Sequence, residues 1–187
     1  MEVAPIKNAD KILEMKDFLR GKGIGYELLF VMGINTALRI GDLLSLSISD
    51  VTDENGKVLD VICLKEHKTG KLKQMPVNES VKIALSSYLA TYPNRKRSAP
   101  LFFSQKCGAL SRSQAWRTLR AAGKSVGLQN IGTHSLRKTF GYHVYNKSGG
   151  DIGLVQKLLN HSISKNTLQY IGIDREMMDN VYMELNL

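Results

Sequence analysis

Hydrophobic positions recur with a helical period through the first forty residues. In residues 8–19 apolar side chains return at spacings of three and four behind an Asn8 or Asp10 cap, which predicts an amphipathic helix ending at Gly21. The stretch YELLFVMGINTAL that follows, residues 26–38, is apolar on nearly all sides. This second pattern predicts a helix buried at the centre of the domain.

The period changes from helical to alternating over residues 58–77. Two runs with β-branched residues flank the segment HKTGK, whose glycine suits a tight connection. We therefore predict a β-hairpin with a basic tip. Residues 46–51 are a candidate for a short third strand beside it.

Helical patterns return after the hairpin and continue to the C-terminus. Most of them begin at a residue that commonly caps a helix. They cover residues 78–92 behind Asn78, 111–126 behind Ser111, 134–148, 151–161 behind Asp151, 164–172 behind Ser164, and a tail helix at 174–187. The predicted fold class is α+β, mostly α-helical, as one domain over residues 1–187 with a small antiparallel sheet.

Charge changes this picture by suggesting a partner. Lysine and arginine total 26 against 17 acidic residues, a formal net charge of +9. Such an excess attracts polyanions such as nucleic acid, although many basic proteins bind nothing specific. No apolar run is long enough to span a membrane, and the N-terminus lacks the apolar core of a signal peptide, so we expect a cytoplasmic protein with no membrane partner. Cys63 and Cys107 form neither a disulfide framework nor a zinc-ligand spacing.

Two short motifs contain arginines that are candidates for binding an anion in a functional site. In THSLRKTF, His134 and Arg137 are three residues apart and share a helix face near its positive end, where an anion is favoured. In TALRIGDLL, Arg39 follows an apolar run, where a guanidinium is costly unless it is paired. Asp42 is placed to hold this arginine or a neighbouring cation. An ordinary surface pair remains the alternative for each motif.

Two further motifs add a lysine, a histidine and a tyrosine. Lys68 lies at the predicted hairpin tip with Lys71 and Lys73 near it, and solvated loop charge is the alternative. His161 precedes Tyr170 by nine residues, across a turn and a short helix. Tyrosine is usually a core aromatic, because phenol is a weak nucleophile at its ordinary pKa.

Taken together these side chains describe a site for a phosphate group. Guanidinium forks donate bidentately to phosphate and stabilise the charge that develops during phosphoryl transfer. The sequence lacks clustered carboxylates for Mg²⁺ and the glycine-rich loop of nucleoside triphosphatases. We therefore expect a site that needs no metal and no cofactor.

The four motifs resemble those of the tyrosine recombinases, or phage-integrase family, which share their catalytic core with type IB topoisomerases. The matching stretches are TALRIGDLLSL, EHKTGKLKQMPV, THSLRKTF and LLNHSISKNTLQYIGI, in family order across residues 36–173. The resemblance implies a tyrosine-recombinase-like catalytic domain and the cleavage and rejoining of DNA strands. A topoisomerase-like relaxing activity, or an inactive DNA-binding module of the same fold, are the alternatives.

The resemblance also implies a role for each residue that matches a family position. Arg39 and Arg137 would clamp the scissile phosphate, with His134 assisting proton movement beside it. His161 would donate a hydrogen bond to the phosphate, and Tyr170 would attack it to give a 3′-phosphotyrosine. A phosphotyrosyl bond conserves the energy of the phosphodiester, so rejoining needs no ATP.

The remaining roles fall on the hairpin and on the acidic position after the first arginine. Lys68 would protonate the leaving 5′ oxygen, although Lys71 and Lys73 also qualify as the reacting lysine. Both of these flanking lysines are assigned to DNA binding. Asp42 would fill the acidic position that follows the first arginine, outside the groups that touch the phosphate.

Some features of the chain depart from the family pattern. Asn160 stands where glycine is common before the histidine, and Lys138 follows the second arginine where histidine is frequent. The chain also lacks the separate helical DNA-binding domain that commonly precedes this core, so it is either part of a longer protein or a short family member. The resemblance implies double-stranded DNA as partner, a homo-tetramer on DNA, a monomer without DNA, and a tail that docks either on its own domain or on a neighbour.

Overall fold

The computed structural model describes residues 3–104, 108–160, 164–173 and 182–185. Over these ranges the chain forms helices on both sides of a central helix, with one hairpin at the edge. The helices are α1 (Ala9–Lys22), α2 (Ile24–Thr36), α3 (Ile40–Leu44), α4 (Glu79–Thr91), α5 (Arg112–Ser125), α6 (Thr133–Lys147), α7 (Ile152–Leu158) and α8 (Ser164–Tyr170); the strands are β1 (Val61–Lys65) and β2 (Leu72–Pro76). The predicted fold class is confirmed.

Helix α2 is the centre of the domain. It packs against α1, α4 and α6, and Leu28, Leu29, Phe30 and Met32 are each at most 1% exposed. Because neighbours surround the helix, its apolar residues occupy every side rather than one stripe. Each such side chain contributes about 1.5–3 kcal/mol relative to exposure. The buried helix predicted from residues 26–38 is confirmed.

Side-chain caps begin several helices where the sequence predicted them. Asn8 accepts hydrogen bonds from the first turn of α1, and Asn78, Ser111 and Asp151 do the same for α4, α5 and α7. These bonds satisfy backbone N–H groups that a helix leaves unpaired at its start. Helix α1 continues to Lys22, one residue past the predicted end.

The hairpin forms at the predicted position and turns one face inward. Strands β1 and β2 are antiparallel, with Ile62 opposite Met75, and both of these side chains are buried. Their neighbours along each strand are more exposed, as expected for a sheet with one face on the core. The turn at residues 66–71 presents the lysines of HKTGK.

The predicted third strand at residues 46–51 is wrong. This segment contains a 3₁₀ helix, Ile48–Asp50, and only isolated bridges join Ser47 to Pro100 and Thr52 to Val58. The Asp50 carboxylate accepts hydrogen bonds from the backbone N–H and the hydroxyl of Ser47, both at 2.7 Å. Such local bonds compete with strand pairing and close the chain into a turn.

The tail helix predicted at residues 174–187 lies mostly outside the described residues. Residues 182–184 form a helical turn, in which Tyr182 and Met183 are about 80% and 79% exposed. The described part of the chain contains no helix with the length and apolar character needed to cross a membrane.

The contact between α2 and α6 generates a stability prediction. A Cβ added at Gly33 would lie 2.9 Å from the Cβ of Leu136, closer than side chains tolerate. We expect Gly33→Ala to lower the free energy of unfolding by about 1–3 kcal/mol through overpacking. Gly21→Ala is the matched control, because an added Cβ there has no neighbour within 4 Å. Its expected effect in urea unfolding is a gain of about 0.5–1 kcal/mol; equal losses for both variants would contradict the packing argument.

Candidate active site

Arg39 enters the site through a sharp turn after α2. That helix ends at Ala37, which adopts the left-handed conformation with φ 57°, and Arg39 then occupies the N-cap of α3. Its Nη1 lies 3.0 Å from Oε1 of Glu66, a carboxylate only 1% exposed. The two atoms have no aligned hydrogen-bond partner among the described residues, so their contact is mainly one of opposite charges. The sequence left Asp42 to hold this arginine or a neighbouring cation, and the structure places Glu66 against Arg39.

Arg137 lies on α6, only 3% exposed, and joins three parts of the chain. Its Nη1 donates to the Ala37 carbonyl and its Nη2 to the Leu159 carbonyl at the end of α7. Burial lowers the pKa of the guanidinium, while the charges of Tyr170, Glu66 and Asp42 act in the opposite direction. The two carbonyls offset much of the cost of burying this charge.

Tyr170 is the last residue of α8, and the segment that follows it packs on α6, the helix that carries Arg137. The following residue, Ile171, is fully buried against Gly141 of α6, where an added Cβ would lie 2.6 Å from Ile171 Cγ2. Burial raises the pKa of the Tyr170 phenol, and the charges of Arg137 and Arg39 together with the Arg137 hydrogen bond oppose this effect. The neighbouring cations favour the phenolate, but burial outweighs them and the pKa of Tyr170 is raised.

Lys138, next to Arg137 on α6, is a second cation at the tyrosine. It is 5% exposed, and its Nζ lies 5.2 Å from the centre of the Tyr170 ring. This distance is within the range of a cation–π interaction. The sequence motifs identified Lys138 only as a departure from the family pattern, whereas the structure places its ammonium beside the Tyr170 ring.

His134 lies on the open side of the site in the first turn of α6. Partial burial lowers the pKa of its imidazole, and so do the charges of Arg137, Lys138, Arg39 and Lys68. The ring is therefore neutral at pH 7 and able to accept a proton.

The three hairpin lysines have different surroundings. Lys68 and Lys71 are exposed on the turn. Lys73 instead directs its Nζ to the Leu158 carbonyl at 3.3 Å, beside the segment that Arg137 contacts. Burial and the charges of Arg137 and Arg39 lower the pKa of Lys73 to about 8, although Glu66 opposes them. Lys73, which the sequence assigned to DNA binding, is therefore more buried than Lys68, and the charges of Arg39 and Arg137 act on it.

Two buried carboxylates stabilise the hairpin against the arginines. Asp42 is 2% exposed, and its Oδ1 accepts from the backbone N–H of His67 at 2.9 Å. Glu66 was missed by sequence analysis, although a signal was present. Continuing the inward positions of β1 from Ile62 through Leu64 reaches this glutamate, and a buried carboxylate requires a cation or hydrogen bonds.

The structure therefore brings Arg39, Arg137 and Tyr170 together, with His134 and Lys68 at the edge. His161 lies outside the described residues, so its assignment stays a prediction. Within the described ranges, no three histidine, cysteine, aspartate or glutamate side chains cluster as metal ligands. The donors that converge are mainly guanidinium and ammonium groups, a set suited to binding a phosphate diester.

Comparison with known proteins places this arrangement in a family. The family model described as Phage integrase family matches residues 7–177. The chain is 41% identical over 175 residues to the Bacillus subtilis (strain 168) protein named probable integrase/recombinase YoeC, covering 93% of this chain and 92% of that protein. It is 32% identical over 162 residues to tyrosine recombinase XerC of Rhodospirillum centenum (strain ATCC 51521 / SW), covering 86% of this chain but 46% of that protein.

Solved structures share the fold. The crystal structure of XerA recombinase matches 98% of this chain and 64% of its own length, with a TM-score of 0.74 and 24% identity. A lambda integrase tetramer bound to a Holliday junction matches 91% of this chain and 48% of its own length, with a TM-score of 0.68 and 20% identity. With the family match over most of its length, this chain belongs to the phage integrase family, whose curated relatives include the XerC and XerD tyrosine recombinases.

Proposed function

We propose that this protein is a site-specific DNA recombinase that cleaves and rejoins strands through a covalent 3′-phosphotyrosine on Tyr170. The observation that carries the proposal is the convergence of Arg39, Arg137 and Tyr170, with Ile171 beside the tyrosine packed on α6, the helix that carries Arg137. A nucleophile beside two guanidiniums can attack a phosphate whose oxygens they hold. Family membership supports the same activity.

In the proposed cleavage step, side chains of the site account for each bond change and each proton transfer. The Tyr170 oxygen forms a bond to phosphorus while the bond to the 5′ oxygen breaks. Because burial keeps the phenol protonated, a base must accept its proton, and neutral His134 is suited to do so. Arg39 and Arg137 stabilise the charge on the non-bridging oxygens. Attack by a 5′ hydroxyl on the phosphotyrosine reverses these steps, so rejoining requires no ATP.

Protonation of the leaving 5′ oxygen is assigned to Lys68. Its turn position leaves it free to approach DNA, and its charge already acts on His134. Lys73 is the alternative, because a pKa of about 8 suits an acid that loses its proton near neutral pH. We propose Lys71 as a contact to the DNA backbone, His161 as a hydrogen-bond donor to the phosphate, and Asp42 as the support of the hairpin.

We propose double-stranded DNA as the partner, and the cytoplasm as the compartment in which the protein acts on it. The net charge of +9 supports the DNA partner. We further propose a homo-tetramer on DNA from protomers that are monomers alone. The lambda integrase tetramer on a Holliday junction, whose fold this domain shares, supports that assembly.

A suicide substrate tests the nucleophile. Nicked duplexes of randomised sequence lose a short 5′-hydroxyl fragment after cleavage, which traps the protein on DNA. We expect a covalent protein–DNA band on a denaturing gel, and its sequenced DNA identifies the target. Tyr170→Phe should abolish the band, and Arg39→Ala should slow its formation by about 10²–10³-fold, because the arginine acts on transition-state charge.

The matched control for this experiment is Tyr142→Phe, which makes the same change at a tyrosine that faces Lys7 and His143 instead. It should form the band at the rate of the unchanged protein. A covalent band that persists in Tyr170→Phe would contradict the assignment of the nucleophile.

Substrate chemistry separates the two candidate lysines. A sulfur in place of the bridging 5′ oxygen leaves as a thiolate and needs no proton. We expect Lys68→Ala to slow cleavage of ordinary DNA by about 10²–10⁴-fold and to recover on the sulfur substrate. Lys73→Ala should show no selective recovery. Selective recovery of Lys73→Ala alone would transfer the acid role to that residue.

Mass photometry on a four-way DNA junction tests the assembly. We expect four protein copies on each junction and single copies without DNA. Deleting residues 176–187 should reduce strand exchange more than cleavage, because exchange needs neighbouring protomers while cleavage needs one site. Equal loss of both activities would assign the tail to the stability of its own domain.

A further inference from the structure

The Glu66 side chain connects three elements of the site that are far apart in sequence. Its Oε1 faces Arg39 Nη1 at 3.0 Å. Its Oε2 accepts from the Thr69 hydroxyl at 2.7 Å and from Asn160 Nδ2 at 3.0 Å. One buried carboxylate thus contacts the first arginine, the hairpin turn and the turn that follows α7.

The same glutamate closes the turn that carries Lys68. Its backbone N–H donates to the Lys71 carbonyl at 2.9 Å, and its carbonyl accepts from Gly70 at 2.8 Å. With the Thr69 bond, the turn is held at both its backbone and its side chain. A shift of the Glu66 carboxylate therefore moves the turn and changes the contact with Arg39 at the same time.

Asn160 has a conformation that explains its presence. Its φ is 52°, in the left-handed region where asparagine is one of the few tolerated residues besides glycine. Glycine would satisfy the backbone but could not donate to Glu66. Asn160 is also the residue directly after Leu159, whose carbonyl accepts a hydrogen bond from Arg137. The bond to Glu66 therefore ties the acceptor of the second arginine to the partner of the first.

We propose that Glu66 and Asn160 are a positioning pair that holds Arg39, the Lys68 turn and the Arg137 acceptor in register for strand cleavage. The pair touches no reacting atom and acts through the groups it orients. Burial alone would raise the pKa of Glu66, but the bonds from Thr69 and Asn160 and the charge of Arg39 hold it below its usual value, so the carboxylate stays charged. This inference rests on the proposed function.

The test variant is Asn160→Gly, which keeps the backbone conformation and removes only the donor. Its matched control is Asn130→Gly, since Asn130 has a similar φ of 57° and lies exposed in the segment before α6. In single-turnover assays at saturating nicked duplex, we expect Asn160→Gly to slow covalent-complex formation by about 10- to 100-fold. DNA affinity and melting temperature should stay unchanged, and Asn130→Gly should match the unchanged protein.

A double variant tests whether the two residues act through one bond. Glu66→Gln with Asn160→Gly should be no slower than the slower single variant. Rates that multiply would show independent effects and overturn the proposal. So would cleavage by Asn160→Gly at the unchanged rate, or an equal loss in Asn130→Gly.

Hydrogen exchange gives a readout that does not depend on activity. Without the Asn160 bond, amide exchange across residues 66–71 should accelerate, while exchange in α5 stays the same. Unchanged exchange in the turn would overturn the proposal even if the protein formed no covalent complex. If instead the unchanged protein forms no covalent complex, while exchange in the turn accelerates in Asn160→Gly, the result contradicts the proposed function and supports the positioning geometry.

Discussion

The buried guanidinium of Arg137 is the constraint on which the rest of the site depends. A charge that is 3% exposed must have partners inside the protein, because isolated burial costs several kcal/mol. Its partners are carbonyls 100 and 22 residues away along the chain, at Ala37 and Leu159. Satisfying this group therefore brings the turn after α2 and the end of α7 to α6, the helix on which the segment around Tyr170 also packs.

The cations of the site exceed the carboxylates that hold them. Glu66 and Asp42 are buried beside Arg39, Arg137 and Lys73, and their charges oppose the lowering of the Lys73 pKa. Because their bonds go partly to the hairpin, they fix positions without neutralising every guanidinium. A site built this way holds its positive charge in place before an anion arrives, and preorganised charge is what transition-state stabilisation requires.

Periodicity and capping residues predicted most of the fold because they report local physics. The helix behind Asn78 and the hairpin with Ile62 facing inward follow from spacing and side-chain type. The third strand failed because the Asp50 carboxylate bonds the Ser47 backbone and closes a turn. Alternation alone does not distinguish that turn from a strand, since the deciding contacts are hydrogen bonds from one residue to one carboxylate.

The sequence by itself determined the elements and singled out the candidate reacting side chains in ordered motifs, Tyr170 and Arg39 among them. Tertiary structure decided their pairings: Glu66 rather than Asp42 faces Arg39, and Lys73 turns toward the Leu158 carbonyl. Tertiary structure also set the pKa of Tyr170, where burial outweighs nearby charge. The physical reason is that charges and hydrogen bonds act through distances in space, and residues far apart along a chain become neighbours only when the core packs.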